Sequence, residues 1–224
     1  KRSESLQGLS QAITVLSGMD LDNRQISTFV DLSAIAPGVN IAKNEGFKTV
    51  ITIRGVGYET NQNAIATPSV SYHLDGIYVA SPYALQTDFL DLERIEVLRG
   101  PQGTLFGQNS TGGAINVITK APTSDATYGS ADLTIGNYGL VKARAVINKP
   151  LSENLSLRAS FISNTRNGFT ENLSNGQDLD DADSVSARVR LKYEPSDTFR
   201  ANFMAQVYDE DRNGAAQKGI IDPT

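Results

Sequence analysis

The chain has 224 residues, with 20 Lys+Arg against 25 Asp+Glu, so a net charge of −5 argues against a basic nucleic-acid binder. There is no cysteine and a single histidine, His73, which removes disulfide frameworks, thiolate zinc sites, iron–sulfur clusters and cysteine nucleophiles, and makes any histidine triad depend on one residue. No window approaches the ~18 consecutive apolar residues of a membrane-spanning helix, but transmembrane strands need only about 9–11 residues of alternating character and barely mark bulk hydropathy.

Up to Lys120 the sequence mixes short elements. Gln11 to Leu16 predicts a strand, and Asp20 or Asp22 is positioned to cap a helix whose apolar residues Ile26, Phe29 and Val30 fall at helical spacing. That helix must end before Pro37. Two β-branched runs follow, Thr49 to Ile53 and Ser69 to Tyr72, and Asp75-Gly76 signals a hairpin turn before Ile77 to Ala80. Further strands are expected at Arg94 to Leu98 and Ala114 to Thr119. His73 falls on the polar side of its strand and reads as a hydrogen-bonded structural residue rather than a ligand.

Beyond Lys120 five segments alternate with period 2. Ala131, Leu133 and Ile135 oppose Asp132 and Thr134; Val141 to Ile147 opposes Lys142, Arg144 and Asn148; Leu155 to Phe161 opposes Ser156, Arg158 and Ser160. Val185 to Tyr193 opposes Ser186, Arg188, Arg190 and Lys192, and Phe199 to Val207 opposes Arg200, Asn202 and Gln206. Each segment therefore has one apolar and one wet face. After a first short link at Asn137 to Gly139, connections alternate: a short turn around Lys149 to Asn154, a long loop from Asn167 to Asp183, a tight turn at Glu194 to Asp197, and a long polar segment from Asp209. Short turns on one side and long loops on the other are the habit of outer-membrane barrels, and a soluble β-sandwich binding module is the alternative with the same period.

Charge is distributed unevenly. Acids crowd into loops (Glu171, Asp178, Asp180, Asp181, Asp183; Asp209, Glu210, Asp211), whereas Lys142, Arg144, Arg158, Arg188, Arg190, Lys192 and Arg200 share the polar strand face, which would make a lumen wall basic. Other signals fail their templates. Gly100 to Gly113 contains no Gly-Lys-Ser/Thr, and Gly55-Val56-Gly57 lacks the third glycine of a dinucleotide fingerprint. Asp178 to Asp183 places Asp183 where a calcium loop needs glycine and Val189 where it needs glutamate, so it reads as a solvated acidic loop, with a looser cation site as the alternative. No paired carboxylates or nucleophile–base arrangement supports an enzyme, and no cofactor or resident metal is expected.

Glu93 to Lys120 (ERIEVLRGPQGTLFGQNSTGGAINVITK), with ITIRGVG at Ile51 to Gly57 and LDGIYV at Leu74 to Val79, closely resembles the plug domain of TonB-dependent outer-membrane receptors. The alternating segments look like the first strands of the barrel around that plug. The resemblance implies an α+β plug domain over residues 1–120, followed over 121–224 by the N-terminal strands of an antiparallel transmembrane β-barrel of about 22 strands, of which five are expected here. Lys1 to Gln7 resembles the stretch just downstream of the TonB box, so the energising TonB protein of the periplasm would grip a segment upstream of Lys1.

In function, the resemblance implies an outer-membrane receptor that binds a scarce small molecule at the cell surface and imports it into the periplasm. An iron–siderophore complex is the default substrate; an oligosaccharide, an aromatic compound or cobalamin is the alternative. Arg54, Arg94, Glu96 and Arg99 match family motif charges associated with plug–barrel polar contacts, with an Arg54–Glu96 ion pair inside the plug as the competing reading. Substrate contact is expected from outward plug loops, Tyr58 to Thr67 and Ser81 to Thr87, where Tyr58, Gln62, Tyr83 and Gln86 offer stacking and hydrogen bonds.

Overall fold

The computed structural model describes residues 12–44, 48–57, 68–81 and 88–214. They form two compact units, the chain dividing between Lys120 and Ala121.

In the first unit, β1 (Ile13–Ser17) leads into α1 (Gly18–Asn23), a 3-10 turn (Val30–Ala34), β2 (Val39–Asn44), β3 (Lys48–Ile53) and β4 (Val56–Gly57). Then come β5 (Val70–Leu74), β6 (Ile77–Tyr78), β7 (Leu92–Arg99), α2 (Gly103–Phe106) and β8 (Gly113–Thr119). One sheet runs β1-β7-β8-β5-β6 and a smaller one β2-β3-β4. Only the β5–β8 pair is parallel.

The expected helix through Ile26, Phe29 and Val30 does not form. Its cap is Ser17, whose hydroxyl accepts from the Asp20 amide while Asp20 reaches back to the Ser17 amide, and the helix ends at Asn23. Downstream, the Asp31 carboxylate accepts the Ser27 and Thr28 amides at 3.0 and 2.8 Å, drawing the backbone into a local turn instead of a helical ladder. Phe29 still reaches the core, where its ring meets Tyr72 at 5.1 Å and Phe89 at 4.9 Å, both edge to face. That core lies on one side of the larger sheet, with Ile95, Val97, Ile115 and Val117 facing Leu32, Ile41 and Ile53. The β7–β8 contact requires Gly113, because a Cβ there would lie 2.4 Å from the Leu98 carbonyl oxygen.

The second unit is a meander of β9 (Tyr128–Gly136), β10 (Leu140–Ser152), β11 (Leu155–Arg166), β14 (Ala182–Ser196) and β15 (Phe199–Glu210), each antiparallel to the next. A small hairpin, β12 (Thr170–Asn172) with β13 (Gln177–Leu179), occupies the long loop and was not foreseen in the sequence. The strands outrun the expected boundaries. Pro150 and Pro195 had signalled turns, yet both sit within strands where the register shifts, a position that tolerates a missing N–H. The short connections therefore shrink to Glu153-Asn154 and Asp197-Thr198.

Candidate functional site

Register places the polar residues of the second sheet in continuous cross-strand rows: Lys142, Asn164 and Ser184; Arg144, Ile162 and Ser186; Ser160, Arg188 and Gln206; Asn148, Arg158, Arg190 and Met204; Ser156, Lys192 and Asn202. Arg200 alternates onto the same face as Asn202. All seven bases expected to share one face therefore do so.

Burial across these strands is the reverse of a soluble sheet. On β11 and β14, Arg158 and Arg188 are 4% and 5% exposed, whereas Phe161 and Val189 on the opposite face are 41% and 39% exposed. Apolar Leu133, Ile135, Phe203 and Val207 on the flanking strands are more exposed still. Apolar residues aligned outward along strands of 12 to 15 residues fit a lipid solvent, and 12 residues at about 3.4 Å each exceed the ~25 Å apolar band of an outer-membrane barrel.

Buried guanidinium groups need partners. Arg158 Nη1 donates to the Tyr128 hydroxyl at 2.8 Å, and the guanidinium lies 5.6 Å from that ring's centroid; Arg188 Nε donates to Gln206 Oε1 at 2.9 Å. The face is not uniformly basic. Asp132 pairs with Arg144 at 3.3 Å, and Glu194, expected in a turn, sits on β14, pairing with Lys192 at 2.6 Å and with Arg200. The short-turn end is thus charge-compensated through Glu194.

In the first unit, Glu96 does not pair with Arg54. Its carboxylate accepts from Arg94 Nε at 2.8 Å and from Asn116 Nδ2 at 2.9 Å, while Arg94 also contacts Glu93. Arg54 instead takes a left-handed turn position, φ 52°, ahead of Gly55, and its amide donates to the Gly38 carbonyl. Arg99 Nη2 donates to Thr14 Oγ1 at 2.5 Å, tying β1 to β7. Glu96, Asn116, His73 and Tyr78 form a row on the face away from the main core, where His73 is buried against the Phe106 and Tyr78 rings, 4.8 and 5.6 Å away. Asn116 was missed because it stands inside an apolar run, with no sequence signal that its partner strand carries the carboxylate. Tyr58, Gln62, Tyr83 and Gln86 lie outside the described residues.

Among the described residues no three His, Cys, Asp or Glu side chains are grouped to hold a metal ion, and no helix is long and apolar enough to cross a membrane. Residues 5–114 match the family model "TonB-dependent Receptor Plug Domain". The chain belongs to the TonB-dependent receptor family. The pesticin receptor of Yersinia pestis is 28% identical over 201 residues, 88% of this chain and 28% of that protein. The ferric enterobactin receptor PirA of Pseudomonas aeruginosa is 27% identical over 206 residues, 83% of this chain and 28% of that protein. Among solved structures, the ferric yersiniabactin uptake receptor FyuA from Yersinia pestis superposes with a TM-score of 0.79 at 25% identity, covering 88% of this chain and 31% of that one. The chain therefore spans less than a third of the length of these relatives.

Family membership places this TonB-dependent receptor in the outer membrane, and its relatives are receptors rather than enzymes. Its first unit is the plug and its second sheet the beginning of a barrel, not closed by these strands alone.

Proposed function

We propose that the whole receptor binds a ferric siderophore at the cell surface and imports it into the periplasm with energy delivered by TonB through a segment upstream of Lys1. In this reading residues 1–120 are the plug and 121–224 the opening of the barrel. The polar face is the lumen wall, with Lys142, Arg144, Arg158, Arg188, Arg190, Lys192 and Arg200 along the ligand's path. Tyr58, Gln62, Tyr83 and Gln86 on the plug loops meet the ligand first, and Arg54, Arg94, Glu96 and Arg99 supply the polar contacts that let the plug be drawn aside.

The observation that carries this reading is the inverted burial of the second sheet, cationic inside and apolar outside, in a chain that carries a plug. Such a wall keeps a polar solute solvated across a membrane without its own ion gradient or ATP, where transport work has to arrive mechanically. The relatives named for ferric enterobactin and ferric yersiniabactin support iron chelates as the substrate class.

The test is growth under iron limitation of cells with and without the receptor, and with and without TonB. Loss of growth in both deletions is expected; uptake that survives loss of TonB refutes the coupling. Charge reversal, Arg188→Glu with Arg190→Glu, is expected to slow entry of an anionic iron chelate, and unchanged uptake kinetics would remove the bases from the path.

A further inference from the structure

The long-loop end of the second sheet holds a strained aromatic. Tyr138 has φ 58° and ψ 32°, in the left-handed region, where a bulky side chain is a costly outlier. Glycine would relieve the strain and already stands at Gly136 and Gly139, yet position 138 keeps a ring. The conformation is held by the Asn167 amide, which donates to the Tyr138 carbonyl at 2.9 Å. The Tyr138 ring lies 5.7 Å from Phe169, and the Arg166 guanidinium sits 4.9 Å over the Phe169 ring. Arg166 is fixed in turn by Nη2 donating to the Asp180 carbonyl at 2.6 Å, and its buried Nε has no hydrogen-bond partner among the described residues.

The Phe169 ring packs on a residue of the polar face. Arg166 alternates onto the polar row of β11 with Arg158 and Ser160, away from Phe161. Both rings remain open, Tyr138 58% and Phe169 51% exposed. We propose that Tyr138 and Phe169 form a stacking platform for a planar aromatic ring of the imported chelate. The proposal deepens the siderophore reading and rests on it. Aromatic rings pack offset or edge to face at 4.5–7 Å, and two open faces side by side offer that geometry to a third ring. The adjoining loop carries Glu171, Asp178, Asp180, Asp181 and Asp183, which disfavour a polyanion, so the occupant is an aromatic chelate whose net negative charge is small.

Two neutral probes isolate the ring: gallium(III) tris(benzohydroxamate) and gallium(III) tris(acetohydroxamate), which share the metal-binding group and differ in phenyl against methyl. Binding to the full-length receptor in detergent micelles is measured by saturation-transfer NMR. The benzohydroxamate complex is expected to bind about tenfold tighter, the effect of two aromatic contacts. Phe169→Ala and Tyr138→Gly are each expected to reduce that preference severalfold, and Tyr138→Gly to raise the melting temperature. Tyr138→Asn, which tolerates the left-handed conformation without a ring, is expected to lose the preference in a folded protein. Equal binding of the two probes, or variants that keep the phenyl preference, overturns the platform. Variants that lose stability in vesicles while keeping the preference overturn it too, by marking the rings as lipid-interface anchors. Failure of the siderophore reading itself registers separately, as unchanged iron-limited growth of cells lacking the receptor.

Discussion

Glu96→Ala is expected to loosen the plug by about 2–3 kcal/mol, mostly through a residue other than the one replaced. Asn116 is 5% exposed; its Nδ2 donates to Glu96 Oε2 at 2.9 Å, and its Oδ1 has no hydrogen-bond partner among the described residues. Removing Glu96 leaves the whole amide buried without a bond, which costs about 1–3 kcal/mol. The Arg94–Glu96 pair joins side chains 36% and 24% exposed and keeps its Glu93 contact on the arginine side, so its loss adds only ~0.2–1 kcal/mol.

Glu96→Gln keeps an acceptor for Asn116 and is expected to cost about 1 kcal/mol. Asn116→Leu removes the amide that Glu96 serves, so the double variant with Glu96→Ala should be more stable than the sum of the singles by about 1–2 kcal/mol. The assay is native-state hydrogen exchange of the β7 and β8 amides in the full-length receptor, whose slowest members report opening of this sheet. A Glu96→Ala cost below about 0.5 kcal/mol, or strict additivity in the cycle, would refute the reasoning.

A charge placed on the exposed apolar face, Val189→Arg or Phe203→Arg, is expected to destabilise the receptor in lipid vesicles by about 2–4 kcal/mol if the site lies at mid-bilayer, while Asn202→Thr, at an exposed position of the polar face, leaves the melt nearly unchanged; equal effects would contradict a lipid-facing assignment. Ser17→Ala is expected to cost about 1 kcal/mol through loss of the α1 cap, read as faster amide exchange in Gly18–Asn23. The Ser17 hydroxyl, followed by its amide, holds the Asp20 carboxyl below its ordinary range. A depressed carboxylate contributes stability that is complete above that range and lost as pH falls through its folded value, so α1 should fray in acid, and Ser17→Ala should flatten that acid dependence.

Much of the fold was legible because period 2 survives in sequence whatever solvent the strand faces. Alternation located all five long strands of the second unit, and Asp75-Gly76, with φ 50° and 82°, turned as its residue types require. The helix after β1 was misread because spacing of Ile26, Phe29 and Val30 satisfies a helix and an irregular core segment equally, and the decision rested on Asp31 capturing two amides. The site was legible as a face but not as a set of pairs. Alternation gave the shared side of the seven bases; that Glu194 would join them depended on Pro195 lying inside a strand, and that Glu96 would take Asn116 depended on register between strands, twenty residues away in sequence.

The two units obey opposite burial rules. In the plug, Ile95, Val97 and Ile115 are buried and the charges of β7 are exposed or paired at the surface, as water demands. On β11 and β14, Ser156, Arg158, Ser160, Ser184, Ser186 and Arg188 are buried while Phe161, Val185 and Val189 stand outward. No single solvent makes both arrangements favourable. A net charge of −5 and 39% apolar residues describe an ordinary soluble chain only because they average an aqueous domain with a lipid-facing sheet. The discriminating quantity is which member of each alternating pair is exposed, and on β11 and β14 that member is the apolar one, which follows only if the outer solvent is hydrocarbon.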